Sequence, residues 1–347
     1  MRRAAAAVLL VLGLGVSACN PLYVARLGWT QARILLRREP IPEVLARPDV
    51  DPALRERLQL VLATREFARD RLGMTVGDSY TTFAEIDGDA TVHVLSAAHR
   101  DRLEAYTWWY PIAGRVPYRG YFDSDDAQHE ADRLSARSLD VDVRPALAFS
   151  TLGWFADPLL STTAAEAPDD LVETVIHELF HATLYVPGSP AFNESAATFA
   201  GHRGAIAFFC GGPGDDAVRC ARTRARWQAV RERSRVLLRL ERRLKALYAE
   251  HRPVEEREAR RAQLAEAAAR TLERRGFAGR AELVPPNNAR LLGALLYATS
   301  LDDFEALAPG DTDPGPALRA LVQAARGSDD PFAAVQAAAV VRPDPSA

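Results

Sequence analysis

Asp169-Asp-Leu-Val-Glu-Thr-Val-Ile-His-Glu-Leu-Phe-His-Ala-Thr-Leu184 decides how the rest of this chain is read. Leu171, Val172, Val175, Ile176 and Leu179 recur at the spacing of one helix face, and Pro168-Asp169-Asp170 has the residue types of a helix start. The spacing predicts a helix over 169–184. Within it, His177-Glu-Leu-Phe-His181 sets two imidazoles four residues apart, and residues i and i+4 share a helix face. Both can reach one ion while Glu178 stands beside them. Neutral imidazole nitrogens suit Zn²⁺, and two histidines plus one carboxylate leave a fourth position open to water. The ion lowers the pKa of that water toward about 7, where a neighbouring glutamate can take its proton. His177 and His181 are thus candidate metal ligands, and Glu178 is the candidate general base.

Outward from this helix, Asn193-Glu194 opens a second apolar run, Phe192 to Phe209, read as another helix. Twelve residues separate His181 from Glu194, and Pro187-Gly188 and Pro190 between them supply a chain reversal. Glu194 is the only acid between Glu178 and Asp215. A carboxylate buried in so apolar a stretch is costly unless an ion satisfies it. Glu194 is the candidate third ligand; the competing reading is an acid held at a helix N-terminus by the dipole.

The 347 residues are 48% hydrophobic and 26% charged, which excludes wholesale disorder, and a net charge of −3 carries no nucleic-acid-binding signature. Three cysteines are too few for a disulfide scaffold or a cysteine-ligated zinc ribbon. Arg2 and Arg3 precede an apolar stretch, 4–16, that is too short to span a bilayer and ends in Val16-Ser-Ala-Cys19. Small residues before a cysteine resemble the bacterial lipoprotein signal. On that reading residues 1–18 are a signal peptide, and lipidated Cys19 anchors the chain to the membrane. Asn20 after it favours the outer membrane, facing the periplasm. An ordinary secretory signal or an uncleaved anchor is the alternative. Cys210 and Cys220 then flank Gly211-Gly-Pro-Gly-Asp-Asp216, and an oxidising compartment allows a disulfide to close that turn.

The expected organisation is a tether and linker over 19–50, with a helix in 20–38 and then Pro40, Pro42 and Pro48. A catalytic domain follows over 51–210, with a helix from 52 to 72 and extended segments at 91–95 and 141–152. Residues 211–280, rich in arginine and glutamate and divided at Pro253, read as a solvated helical hairpin rather than a nucleic-acid surface. Residues 281–315, with Pro285-Pro-Asn-Asn288 and a helix over 289–298, complete the domain. The Ala-, Pro- and Asp-rich segment 316–347 reads as a low-complexity tail.

His177-Glu-Leu-Phe-His181, Tyr185, Phe192-Asn-Glu-Ser-Ala-Ala-Thr-Phe199, Pro117-Tyr-Arg-Gly-Tyr-Phe122, the segment 149–160 and Asn287-Asn-Ala-Arg-Leu291 together resemble a family of bacterial lipoproteins named as aminopeptidases. The resemblance runs from Cys19 to about residue 310, and it extends to the gluzincins, whose thermolysin-like members carry an Asn-Glu third-ligand motif on the next helix. It implies an α+β, zincin-like fold: a small mixed sheet and an active-site helix, elaborated by the charged hairpin. It also implies a Zn²⁺ metallopeptidase acting on peptide substrates, with His177, His181 and Glu194 as ligands and Glu178 as base.

An exopeptidase must also recognise the substrate amine. The Gly-x-Met-Glu-Asn segment of familiar zinc aminopeptidases is missing, and Glu85, Glu130, Glu166 and Glu173 are the candidate acids. The segment 149–154 has the look of an edge strand for an extended peptide. A donor to the developing oxyanion is expected from Tyr118 or Tyr121, with Tyr185, Tyr297 and His202 as further candidates. A metalloendopeptidase, or a non-enzymatic zinc-binding envelope lipoprotein, competes with the aminopeptidase reading.

Overall fold

The chain enters its core earlier than the prolines at 40, 42 and 48 suggest. The computed structural model describes residues 36–86, 92–110, 114–121, 123–146, 157–308 and 313–341. The signal segment, Cys19, most of the helix expected over 20–38 and the edge strand expected at 149–154 lie outside the described residues. β1 (Glu39–Pro40) leads into α1 (Ile41–Ala46), whose Ile41 and Val44 are buried in the main core. Pro42 sits in the first turn of α1, where its missing N–H costs nothing. This stretch is therefore structured where a linker was expected.

Asp51 caps α2 (Pro52–Asp70), its carboxylate accepting from the amides of Ala53 and Leu54 at 2.9 and 3.0 Å. Next come β2 (Thr82–Ala84), β3 (Val92–His99), β4 (Trp108–Tyr110), β5 (Gly114–Val116), β6 (Tyr118–Tyr121), α3 (Ser124–Ser135), β7 (Leu139–Ala146) and β8 (Leu159–Leu160). Three small sheets result rather than one: mixed β1-β2-β8, antiparallel β6-β3-β7, and the pair β4-β5. In β6-β3-β7, Leu95 lies opposite Arg119 and Val143, while Ser96 lies opposite Tyr118 and Asp142. Opposed side chains share a face. One face, with Leu95, Ala97 and Tyr121, packs on Ala127, Ala131 and Leu134 of α3. The other carries Tyr118, Asp140, Asp142 and Arg144.

After the short α4 (Ser161–Ala164), α5 (Pro168–Thr183) and α6 (Pro190–Phe209) form the centre. Phe192, Phe199, Phe208 and Phe209 bury α6 on all sides, and glycines let it approach α5 closely. A Cβ on Gly201 would lie 2.8 Å from the Glu173 carbonyl oxygen, and one on Gly204 would lie 2.8 Å from Ile176 Cδ1. A disulfide between Cys210 and Cys220 spans the turn to α7 (Ala217–Ala249). With α8 (Val254–Glu273), which starts just after Pro253, α7 forms a hairpin with its own apolar seam. Leu237, Leu240 and Leu244 meet Leu272 there, along with Leu283 of α9 (Gly279–Leu283) and Leu291 and Leu295 of α10 (Asn288–Leu296).

The segment beyond 316 is a correction. α11 (Leu301–Ala306), α12 (Gly315–Ala325) and α13 (Pro331–Val341) are helical, and Leu318, Leu321, Ala325 and Val335 are buried in the same core as Phe180 and Phe192. Alanine-rich composition reads as low complexity, but alanine is also the best helix former, and small residues let these helices pack closely. One core thus runs from Ile41 to Val335 and crosses the expected boundaries at 51, 211 and 316.

The Asn287-Asn-Ala-Arg290 segment clamps α10 to the sheet. Asn287 Nδ2 donates to the Val141 carbonyl at 2.7 Å, the Asn288 amide to Asp140 at 2.7 Å, and Asn288 Nδ2 to the His99 carbonyl at 2.8 Å. Arg290 reaches Asp142 at 3.0 Å, and buried Arg261 of α8 pairs with Asp140 from the other side.

Candidate metal centre

The apolar face of α5 fixes which way its histidines point. With Val172, Val175, Ile176 and Leu179 buried, His177 and His181 lie one above the other, their rings 5.0 Å apart. The loop after α5 turns on Asn193. Its Oδ1 accepts from the Val186 amide at 2.8 Å, and its Nδ2 donates to the Val186 carbonyl at 2.9 Å. That pair of bonds pins the reversal and delivers the next residue, Glu194, to the histidines. Glu194 Oε2 is 3.4 Å from His177 Nε2 and 3.8 Å from His181 Nε2.

The three donors lie within 4.8 Å of one another, so together they could hold a metal ion. A tetrahedral ion with ligand distances of about 2.0–2.1 Å needs donors roughly 3.4 Å apart, close to the His177–Glu194 separation. Two imidazoles and one carboxylate also match the donor set of an open catalytic site.

Charge at the centre is strongly coupled. Burial works against a charged His177, yet the hydrogen bond with Glu194 and the charges of Glu178, Glu194 and Glu173 outweigh it and raise its pKa. Burial, helped by the neighbouring His177, pulls His181 down to about 4. Burial favours the neutral form of Glu194, but the two histidines and a hydrogen bond from Tyr297 together hold its pKa low. Glu178, half-buried next to His177 on α5, adds its charge to His177, Tyr80 and Tyr297.

Tyr297 is brought in by the helix after Glu194. Ser195 Oγ donates to the Leu296 carbonyl at 2.8 Å and accepts from the Thr299 amide at 3.0 Å, fixing the end of α10 against the start of α6. Tyr297 follows directly, its ring stacked on His177 with centroids 6.2 Å apart. Burial and the charge of Glu194 raise the pKa of its phenol, so it remains a protonated donor at neutral pH.

Residues 22–313 match the model of the family described as Putative aminopeptidase. The chain belongs to that family. The matched range contains the three donors, Glu178, Tyr297 and the clamp at 287–290. No curated protein and no solved structure matches the chain.

In this family member the two tyrosines of the Tyr118-Arg-Gly-Tyr121 segment part company. Tyr118 is 45% exposed on the sheet face toward the centre, and burial together with the charges of Glu194 and Tyr185 raises its pKa. Tyr121 is three residues on and points through the sheet, where it is buried against α3. The two-residue period of a strand forbids both from facing one site. Tyr121 is accordingly a core residue here, contrary to its place among the candidate donors.

The candidate amine-binding acids are engaged or displaced. Glu130 pairs with Arg133 on α3, on the far side of the sheet, and Glu166 accepts from Thr174 at 3.0 Å. Glu173 lies 2.9 Å from Nδ1 of buried His202, whose ring packs on Trp227, and Glu85 is exposed at the end of β2. His202 thus has its Nδ1 turned to Glu173 and its ring held in the core against Trp227. Tyr185 is exposed near Tyr118. Sequence reading assigned no role to Ser195, Gly201 or Arg144; the Gly201-His-Arg-Gly204 spacing, which places two glycines on one helix face, was the available sign of close helix contact.

Proposed function

We propose that this chain is a zinc-dependent metallopeptidase, an aminopeptidase of the cell envelope in which His177, His181 and Glu194 hold Zn²⁺ and Glu178 is the general base. Convergence of two imidazole nitrogens and a carboxylate oxygen within 4.8 Å, with a glutamate adjacent to the first histidine, carries the reading. Family membership supports peptide hydrolysis as the reaction class. Zn²⁺ bound there would supply Lewis acidity toward a peptide carbonyl and toward water. Glu178 takes the proton of the attacking water and returns it to the leaving amine. Tyr118, kept protonated, donates to the oxygen on which negative charge develops, while Tyr297 gives its one phenolic proton to Glu194.

We read α5, α6 and the sheet β6-β3-β7 as a zincin-like assembly. The Cys210–Cys220 disulfide supports an oxidising compartment, and the sequence around Cys19 supports a lipid anchor in the outer membrane facing the periplasm. No helix among the described residues is long and apolar enough to cross a membrane.

A second reading, metalloendopeptidase, is favoured by the engagement of Glu130, Glu166 and Glu173 elsewhere, which leaves the substrate amine without an assigned partner.

The test is metal content and peptide cleavage of the chain from Asn20, with Glu178→Gln alongside. The expected result is one Zn²⁺ per chain in both proteins, with N-terminal trimming lowered about 10²–10⁴-fold in the variant. Full activity in Glu178→Gln removes Glu178 as base, and no bound metal removes the reading. Internal cuts that survive blocking of the peptide N-terminus select the endopeptidase.

A further inference from the structure

Arg144 stands on β7 on the sheet face that α10 covers, two residues beyond Asp142 and four beyond Asp140. The helix occupies both acids, since Asp140 accepts from the Asn288 amide and Asp142 from Arg290. A helix rises about 1.5 Å per residue and a strand about 3.3 Å. The run from Asn288 to Tyr297 along α10 therefore matches in length the run from Asp140 to Arg144 along β7. Arg144 comes level with Tyr297, the residue that touches Glu194, and its charge acts on that phenol. Across the sheet Arg144 shares a row with Val94 and Gly120, and the neighbouring row ends in Tyr118. Val94 is the small direct neighbour of Arg144 in that row, and Gly120 beyond it adds no side chain.

The other arginines near these strand ends are spent. Arg100 and Arg261 pair with Asp140, and Arg290 pairs with Asp142. Arg144 is exposed and, among the described residues, has no hydrogen bond or ion pair. A guanidinium is always charged and presents paired donors that match a carboxylate. An unpaired one on the wall of a site lined by Glu178 and Glu194 is the position from which a substrate anion is held at a set distance from the reacting bond.

We propose that Arg144 is a substrate-binding residue that anchors a carboxylate of the peptide, either the C-terminal carboxylate of a short peptide or an acidic side chain. The proposal rests on the peptidase reading for its substrate class, though not for its chemistry. It makes short or acidic peptides the preferred substrates.

Matched peptide pairs test it on the zinc-loaded chain from Asn20. One pair differs in a C-terminal acid against amide, and another in an internal Asp against Asn. Kinetics use the wild type, Arg144→Ala and Arg144→Lys. Calorimetric binding uses the same three on a Glu178→Gln background, where turnover does not interfere. The wild type is expected to favour one carboxylate peptide over its neutral partner by about tenfold or more in both readouts. The pair that shows the preference identifies the source of the carboxylate. In Arg144→Ala the ratio should fall to within about twofold, while Arg144→Lys keeps part of it. Equal losses on acid and amide would assign Arg144 to the oxyanion or to the fold, and an indifferent wild type also overturns the anchor. If no peptide is cleaved yet Arg144-dependent carboxylate binding persists, the peptidase reading fails and the anchor stands.

Discussion

Ser195 Oγ donates to the Leu296 carbonyl at 2.8 Å, and through this bond the residue after one candidate ligand holds the residue before Tyr297. The same oxygen accepts from the Thr299 amide at 3.0 Å. Ser195 is fully buried, so Ser195→Ala leaves an amide and a carbonyl without partners. An unmet group costs about 1–3 kcal/mol when fully buried, and these two, at half-buried residues, should cost less than that each. Urea unfolding should show that loss, and zinc affinity and kcat should both fall because Tyr297, which donates to Glu194, loses its support. A kcat that stays at the wild-type value would show that Tyr297 needs no such support.

The three tyrosines should separate in mutagenesis. Tyr297→Phe removes the hydrogen bond to Glu194, so both zinc affinity and kcat should fall. Tyr118→Phe should retain zinc and lose about 10²–10³-fold in kcat, the range seen when an oxyanion donor is removed. Tyr121→Phe, changed in the core against α3, should leave kcat within about twofold. Zinc titration and steady-state kinetics on the same preparations check all three.

The contrast between Tyr118 and Tyr121 also marks how far sequence carries. Helix periodicity placed α5 and α6 within a residue or two, because long amphipathic or apolar runs bounded by proline are strong local signals. The juxtaposition of His177 and His181 was legible because i, i+4 spacing on a helix is local geometry, and that of Glu194 because the prolines and glycine before it mark a reversal between two helices. Strand register is set by distant partners, so the row that sets Arg144 opposite Val94, with Gly120 beyond, had no local signature. Ser195 and Asn193 stood in the quoted motif, but their partners, Leu296 and the loop at Val186, are fixed only by folding. The helices beyond 316 were missed because an alanine-rich composition hides its helical period.

Helix proximity should set the metal site. A Cβ at position 201 would lie 2.8 Å from the Glu173 carbonyl and 3.3 Å from His177 Cβ, so Gly201→Ala must push α6 away from α5 at the ligand level. Overpacking of this kind costs about 1–3 kcal/mol. At Gly204→Ala the nearest atoms are side-chain atoms of buried Ile176 and Leu72 rather than backbone, which makes it the control for overpacking without a backbone clash. Gly201→Ala is expected to weaken zinc binding beyond its effect on the urea midpoint, and Gly204→Ala is not. Equal zinc affinity in both variants would mean that the α5–α6 distance at Gly201 does not govern the donors.

The two histidines should give the metal-free chain opposite pH limbs. His181 is pulled down to about 4 in the folded chain, against an ordinary value of 6.5, by burial and by the neighbouring His177. Between these values the unfolded chain holds a proton that the folded chain lacks, so stability falls as the pH drops from 6.5 toward 4, by about 3 kcal/mol over the window. His177 has the reverse sign. Its folded pKa is raised, so its contribution is whole below 6.5 and is lost as the pH rises through the folded value. For this pair, stability peaks near pH 6.5. Urea midpoints of the chelator-treated chain from pH 4 to 8 should rise and then fall. His181→Gln should flatten the acid limb and His177→Gln the alkaline one. Zn²⁺ binds the neutral imidazoles, so adding it should raise the midpoint most on the alkaline side, where His177 no longer holds a competing proton. An acid limb as steep in His181→Gln as in the wild type would show that His181 is not held neutral in the folded chain.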